Sequence, residues 1–121
     1  MIVVYTRTKG PNSREHWRVK AKRVASERNS TSYALMGEPK PPVPCSVRLT
    51  RVGPGMLDDD NLVGAMKGVR DEIAKWLGVD DRHSETVRYV YAQRRDSRGW
   101  HVEVEFGQPV AGAQFNLLEQ A

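Results

Sequence analysis

The chain has 121 residues, of which 39% are hydrophobic and 28% are charged. A chain of this length forms one domain with a single core, and this composition excludes a mainly disordered protein. The apolar start is interrupted at Arg7 and Lys9, and no later stretch approaches the length of a membrane span. We therefore expect a cytoplasmic protein without a membrane partner. The single cysteine, Cys45, is interpreted as a buried thiol without a chemical role.

The net charge of +4 is distributed unevenly along the chain. Residues 1–55 contain 11 Lys and Arg against 3 Asp and Glu, a balance of +8, whereas residues 56–121 contain 8 against 12, a balance of −4. A metal-dependent nuclease needs basic surface beside a compact acidic cluster, because phosphates are attracted broadly and the metal is bound locally. A solvated surface with uneven charge explains the distribution equally well.

The first half of the chain predicts a strand, a helix and a second strand. Residues 2–8 have the β-branched and aromatic content of a strand. A helix is predicted to begin at Asn12, with Glu15 completing a capping box, and to end at Gly37 and Pro39. Its core-facing positions recur at helical spacing: Trp17, Ala21, Val24, Thr31 and Leu35. Residues 37–44, with four prolines, predict an extended connector, and the alternation in 46–50 predicts a half-buried strand.

The second half predicts one long helix and two strands. The helix covers residues 59–77 and ends at Gly78, with an apolar face formed by Leu62, Met66, Val69, Ile73 and Trp76. Residues 86–93 and 100–106 predict a β-hairpin joined across 96–99. The order β-α-β-α-β-β favours an α+β fold in one domain over 1–121, a small mixed sheet with two main helices packed on it. Residues 107–121 have no clear pattern and are interpreted as a mobile tail or partner-binding arm.

Three consecutive carboxylates, Asp58, Asp59 and Asp60, open the long helix and are called the acidic cluster below. Adjacent carboxylates repel one another, although the helix macrodipole favours acids at this end, and capping needs only one or two of them. Mg²⁺ and Mn²⁺ prefer hard oxygen ligands, and Asp58 and Asp60 could point the same way. Two interpretations stay open, a metal site and an over-charged helix cap.

Lys67 and Asp71 follow Asp60 at steps of seven and four residues. This spacing predicts one stripe for all three side chains, opposite the apolar face of the helix, and it favours the metal-site interpretation. A surface ion pair between Lys67 and Asp71 is the alternative.

Residues 57–62 read Leu-Asp-Asp-Asp-Asn-Leu, and Lys67, Asp71 and the turn from Gly78 to Asp81 follow them. This arrangement resembles the central signature of RusA-like Holliday-junction resolvases. In that signature an Asp-x-Asp-Asn motif opens a helix that carries a Lys and an Asp, and a Gly-containing turn ends in Asp-Asp. The resemblance covers residues 57–81 closely and the flanking strand-helix-strand order loosely.

The resemblance implies a homodimeric endodeoxyribonuclease that uses Mg²⁺ or Mn²⁺ and acts on branched DNA such as Holliday junctions. The family's functional residues map onto Asp58, Asp60 and Asp81 as catalytic metal ligands and onto Lys67 as the catalytic cation. Lys67 lies three residues beyond the position of the family's Lys, which corresponds to Gly64.

The predicted helix separates two of these ligands. Asp60 opens it and Asp81 follows its end, so a straight helix of about 17 residues would place them about 25 Å apart. Three alternatives stay open: the chain after Gly78 folds back along the helix, Asp81 serves the site of a second subunit, or Asp81 only orders the turn before the next strand.

A basic face on the first helix is predicted to contact the phosphates of branched or duplex DNA. It consists of Arg14, Arg18 and Lys22, four residues apart, with Lys20 and Arg23 beside them. A solvated helix face is the alternative, and Arg94, Arg95 and Arg98 in the predicted hairpin are further candidates. The histidines His16, His83 and His101 have no ligand spacing and are interpreted as ordinary polar residues.

Two function classes besides a nuclease stay open. One is a DNA-binding protein of the same fold whose acidic cluster does not cut, and the other is a structural assembly protein. Metal-dependent cleavage distinguishes the nuclease from both, and salt-sensitive DNA binding distinguishes the second class from the third.

Overall fold

The computed structural model describes residues 1–8, 16–79 and 86–109. Within this part of the chain, four strands and three helices follow one another as β1 (Ile2–Val4), α1 (Trp17–Leu35), β2 (Cys45–Gly53), α2 (Asp59–Ala65), α3 (Lys67–Leu77), β3 (Val87–Arg95) and β4 (His101–Gly107). The predicted small α+β fold with a mixed sheet is confirmed. None of these three helices is long and apolar enough to cross a membrane.

The four strands form one sheet in the order β1-β4-β2-β3. β2 is parallel to β3 and antiparallel to β4, which is antiparallel to β1. The predicted hairpin between β3 and β4 is therefore wrong, because β2 lies between these strands. The connection crosses the end of β2, where the Asp96 N–H donates to the Gly53 carbonyl at 2.8 Å. Strands two places apart in a sheet are separated by about 10 Å, which five residues span easily.

The single long helix predicted over 59–77 is two helices, α2 and α3, which meet at Met66. The Met66 N–H is shared between the carbonyls of Leu62 and Val63, both at 3.2 Å. Gly64 lies in the turn before the break, where its low helix propensity favours a kink. The predicted apolar face is nevertheless confirmed at four positions, since the buried side chains include Leu62, Met66, Val69 and Ile73.

The core lies on one face of the sheet. Val47 and Leu49 of β2 are fully buried there, against Leu35 of α1 and the apolar residues of α2 and α3. Their strand neighbours Arg48 and Glu105 alternate with core residues and project from the opposite face. Cys45, also on β2, is only 2% exposed, so the predicted buried thiol is confirmed. Burial raises the pKa of that thiol.

The N-terminal end of α1 differs from the prediction. The helix begins at Trp17, and the His16 ring caps it because Nδ1 accepts from the Arg18 N–H at 3.2 Å. The predicted capping box of Asn12 and Glu15 lies outside the described residues.

The predicted core-facing positions of α1 are confirmed at Thr31 and Leu35 but wrong at Trp17 and Ala21, which are exposed. Trp17 is 66% exposed, whereas Glu27, Thr31 and Leu35 are buried. Glu27 is tolerated in the interior because its carboxylate accepts from Arg23 Nη1 at 2.8 Å. Apolar periodicity cannot identify a core position that an ion-paired carboxylate occupies.

Candidate functional site

The segment between β2 and α2 contacts the side chains of Gln93 and Arg95 in the last part of β3. Arg95, at the end of β3, donates from Nε to the Pro54 carbonyl at 3.1 Å. Further along, the Leu57 N–H donates to Gln93 Oε1 at 3.0 Å, and the Gln93 side-chain amide donates to the Leu57 carbonyl. The segment therefore runs antiparallel to β3 and carries the acidic cluster back toward the start of that strand.

A shallow groove of about 370 Å³ lies between α2 and β3. Its α2 wall consists of Asp59, Leu62 and Val63, and its β3 wall consists of Arg88, Tyr89, Val90 and Tyr91. One carboxylate of the acidic cluster and one guanidinium thus line a groove that is otherwise aromatic and aliphatic.

The acidic cluster occupies the cap and first turn of α2. Asp58 is the N-cap, and its Oδ1 accepts from the Asn61 N–H at 3.1 Å. Asp59 and Asp60 stand in the first turn, where the macrodipole favours negative charge. All three side chains are exposed. Of the three carboxylates, Asp58 alone therefore forms a side-chain cap. The second carboxylate oxygen of Asp58 has no partner among the residues that the structure describes.

Lys67 and Asp71 form the ion pair that the spacing left open as an alternative. Lys67 Nζ lies 2.9 Å from Asp71 Oδ2, with 65% of the Lys67 side chain exposed. The break at Met66 places Asp60 on α2 and both ion-pair partners on α3. Asp60 thus stands on a different helix from the ion pair, although the buried positions Leu62, Met66, Val69 and Ile73 keep their helical spacing across the break.

Polar groups also lie between α3 and β3, next to this groove. The Arg70 guanidinium stands over the Tyr89 ring at 5.7 Å and donates from Nη1 to Tyr91 Oη at 3.5 Å. Tyr89 Oη and Asp71 Oδ1 are buried and have no hydrogen-bond partner among the described residues. Burial raises the pKa of Tyr89, so its hydroxyl stays protonated and can donate.

The acidic cluster at the start of α2 is the predicted site for a divalent cation. In the described ranges, no group of three His, Cys, Asp or Glu residues could hold a metal ion. Asp58 and Asp60 are two carboxylates within one turn, and Asp81, the third predicted ligand, lies outside those ranges. Mg²⁺ is commonly held by one or two carboxylates together with substrate phosphates. Asp58 and Asp60 alone would therefore need further ligands from outside the described residues to hold Mg²⁺.

The predicted separation of about 25 Å between Asp60 and Asp81 assumed one straight helix. The helix is interrupted at Met66 and Asp81 lies outside the described residues, so this separation stays a prediction. The described chain resumes at Thr86, two residues before Arg88, which lines the groove together with Asp59.

The predicted basic face is partly engaged within the protein. Arg23 is bound to Glu27, and only 14% of its side chain is exposed. Arg18, Lys20 and Lys22 are exposed on α1, with Arg18 over the Trp17 ring at 5.2 Å. Arg14 lies outside the described residues. Of the four predicted cations that the structure describes, three are thus accessible to phosphates.

Two of the three arginines near the turn between β3 and β4 have acidic partners that the sequence did not identify. Arg94 binds Glu103, with Nη2 2.6 Å from Oε2, and Arg98 binds Asp96 at 3.1 Å. Among the residues that the structure describes, the partner of Arg95 is the Pro54 carbonyl. The ion pair between Arg94 and Glu103 joins β3 to β4 across β2. Predicting it from the sequence would therefore have required the strand order of the sheet.

Comparison of the chain with protein-family models, with curated proteins and with solved structures finds no match in any of the three.

Proposed function

We propose that the chain is a metal-dependent endonuclease of the RusA-like type, which cuts branched DNA such as Holliday junctions. The observation that carries this proposal is the acidic cluster itself, three exposed carboxylates at the start of α2, of which Asp59 lines the groove against β3. The sequence motif that resembles the RusA-like signature begins at these same residues.

The exposed cations of α1 support a DNA substrate. Arg18, Lys20 and Lys22 attract phosphates without reading base sequence, as a structure-selective enzyme requires. The acidic cluster would repel the same phosphates in the absence of a metal ion, so the two features act together only in a metal-dependent protein.

In this mechanism Asp58 and Asp60 would hold Mg²⁺ or Mn²⁺, with Asp81 as a third ligand. The ion would supply Lewis acidity for the activation of water and the neutralisation of the leaving oxygen. The hydrogen bond from the Asn61 N–H to Asp58 Oδ1 fixes that carboxylate and leaves its second oxygen for the metal. Lys67 stabilises phosphate charge when its ammonium exchanges Asp71 for a phosphate oxygen.

A homodimer follows from the substrate. A Holliday junction has two-fold symmetry and requires paired cuts, which a protein dimer with the same symmetry provides.

A DNA-binding protein of the same fold that does not cut is the second candidate. It is favoured by the cap between Asp58 and Asn61 and by the ion pair of Lys67 with Asp71. Each of these contacts gives a structural role to a residue that the nuclease needs.

A cleavage assay distinguishes the two candidates. A labelled four-way junction and a duplex of matched sequence are incubated with the protein in Mg²⁺ or in EDTA, and the products are separated under denaturing conditions. The nuclease cuts the junction in Mg²⁺ only. Salt-dependent binding without cleavage in any divalent metal would support the second candidate, and the absence of binding at low salt would exclude both.

A further inference from the structure

Arg51 is a buried cation at the carboxyl end of the central strand β2, and its hydrogen-bond partners within the described part of the chain are all uncharged. Its side chain is 3% exposed. Nε donates to Thr8 Oγ1 at 3.1 Å, Nη1 donates to the Gly55 carbonyl at 2.8 Å, and Nη2 lies 3.5 Å from the Thr8 carbonyl. Burial lowers the pKa of Arg51, but a guanidinium remains charged at neutral pH. A buried charge without a counter-charge is costly, so Arg51 requires an explanation.

A second cation shares an aromatic ring with Arg51. The guanidinium carbon of Arg51 lies over the Trp100 ring at 4.9 Å from its centroid, and that of Arg7 lies over it at 5.1 Å. Arg7 is exposed and has no other interaction within the described residues. Since both distances refer to one centroid, the two positive charges are at most about 10 Å apart and repel each other.

A third arginine approaches the same end of β2. Arg95 is exposed and donates from Nε to the carbonyl of Pro54, next to the carbonyl of Gly55 that Arg51 binds. Two successive carbonyls of the 53–55 turn therefore each accept a hydrogen bond from an arginine, Pro54 from Arg95 and Gly55 from Arg51. Arg94 and Arg98, by contrast, are neutralised by carboxylates.

The three arginines Arg7, Arg51 and Arg95, here called the arginine cluster, have no carboxylate partner within residues 1–8, 16–79 and 86–109. They lie where the parallel strands β2 and β3 end, at the pair Gly53 and Arg95. Ligands of sheets with parallel strands commonly bind beyond the carboxyl ends of those strands. The position of the arginine cluster is thus suited to an external anion.

We propose that the arginine cluster and Trp100 form a binding site for the phosphates of a nucleic-acid strand. The exposed guanidinium groups of Arg7 and Arg95 contact phosphate oxygens, for which their planar donor geometry is suited. Arg51 is a positioning residue that fixes the 53–55 turn and the Trp100 ring and adds unneutralised charge beneath them. The choice of DNA as the ligand rests on the proposed function, whereas the affinity for phosphate does not.

DNA binding in EDTA tests the site apart from cleavage. Wild type and the double variant Arg7→Gln/Arg95→Gln are titrated against a labelled four-way junction at several salt concentrations. The matched control Lys40→Gln/Lys75→Gln removes the same charge near Trp76, which stacks on Phe106 at the other end of the sheet. We expect the arginine variant to lose at least about tenfold in affinity and about two units of salt slope, and the control to change by less than about twofold.

A titration with inorganic phosphate provides a second readout that does not depend on DNA. We expect saturable NMR shifts of the Trp100 indole N–H and the Arg51 Nε–H, no shift of the Trp76 indole, and loss of the shifts in the arginine variant. If the wild type binds DNA, the arginine variant matches the control and phosphate moves neither signal, the site is refuted while the proposed function stands. Phosphate shifts at Trp100 without any DNA binding would instead support the anion site and refute the proposed function.

Discussion

Arg94 and Glu103 form a two-pronged ion pair that spans the central strand β2, with Nη1–Oε1 and Nη2–Oε2 distances of 2.9 and 2.6 Å. The two residues stand on β3 and β4, on either side of β2. His101 adds a contact of 3.0 Å to Glu103 Oε2. The hydrogen bonds from Arg94, supplemented by His101, hold the pKa of Glu103 at about 2.

This ion pair predicts a loss of stability in acid. Because the pKa of Glu103 is about 2 when folded and 4.5 ordinarily, the stabilisation is present above about pH 5 and is lost between pH 5 and pH 2. Arg94 is half exposed, so we expect the loss to be on the order of 1 kcal/mol. Urea unfolding from pH 7 to pH 2.5 measures it. Glu103→Gln should be less stable at pH 7 and less sensitive to acid, and an unchanged pH dependence in this variant would contradict the assignment.

The Trp100 ring packs on Gly53, and this contact predicts that a larger residue at position 53 destabilises the fold. A Cβ at Gly53 would lie 2.7 Å from Trp100 Cε3 and 2.9 Å from Cζ3. The indole is rigid, so Gly53→Ala should shift the ring and destabilise the fold by about 1 to 3 kcal/mol. Gly55→Ala is the matched control, because a Cβ there meets nothing within 4 Å. Equal unfolding free energies for the two variants would show that the ring does not pack on Gly53.

The parts of the fold that follow from local pattern could be predicted from the sequence. Leu62 and Ile73 repeat at helical spacing because one face of α2 and α3 packs on the sheet. The strands β3 and β4 were identified by composition, but their separation by β2 was not, because pairing depends on the whole sheet. The interior position of Glu27 could not be predicted either, since it depends on an ion pair with Arg23.

In the candidate site, too, the local pattern could be predicted from the sequence and the tertiary contacts could not. The acidic cluster was found because three adjacent carboxylates before an apolar helix are conspicuous in a sequence. Its position beside β3 depends on the contact of Leu57 with Gln93, 36 residues away along the chain. Arg51 stands in an alternating strand and looks like a surface residue in the sequence, although it is buried at the end of β2.

The exposed face of α1 predicts how salt affects DNA binding. Replacing Arg18, Lys20 and Lys22 together by Gln should weaken binding to all DNA sequences and reduce the salt slope by about two to three units, because these charges act through phosphates. Anisotropy titrations with two unrelated duplexes measure both effects. An unchanged slope would mean that this face does not contact DNA.

Subunit mixing tests whether Asp81 completes the site of a partner subunit. Asp60→Asn and Asp81→Asn are each expected to be inactive, and sharing would regenerate one intact site in each heterodimer. Activity is measured after mixing, with subunit exchange verified by differently tagged chains. No recovered cleavage despite exchange would rule out a shared site, and a monomer in light scattering at micromolar concentration would exclude the dimer.

The most direct test of the proposed function is junction cleavage in Mg²⁺ by the Asp60→Asn variant. Removing this carboxylate should lower the cleavage rate by at least about a hundredfold, because a metal ligand is lost. DNA binding should stay the same or become tighter, because a charge that repels phosphate is removed. Asp59→Asn is the control. It removes the same charge from the neighbouring residue, whose side chain is not a predicted metal ligand. We expect Asp59→Asn to cut the junction and Asp60→Asn to bind it without cutting, and cleavage by Asp60→Asn at the wild-type rate would contradict the assignment of the acidic cluster as the metal site.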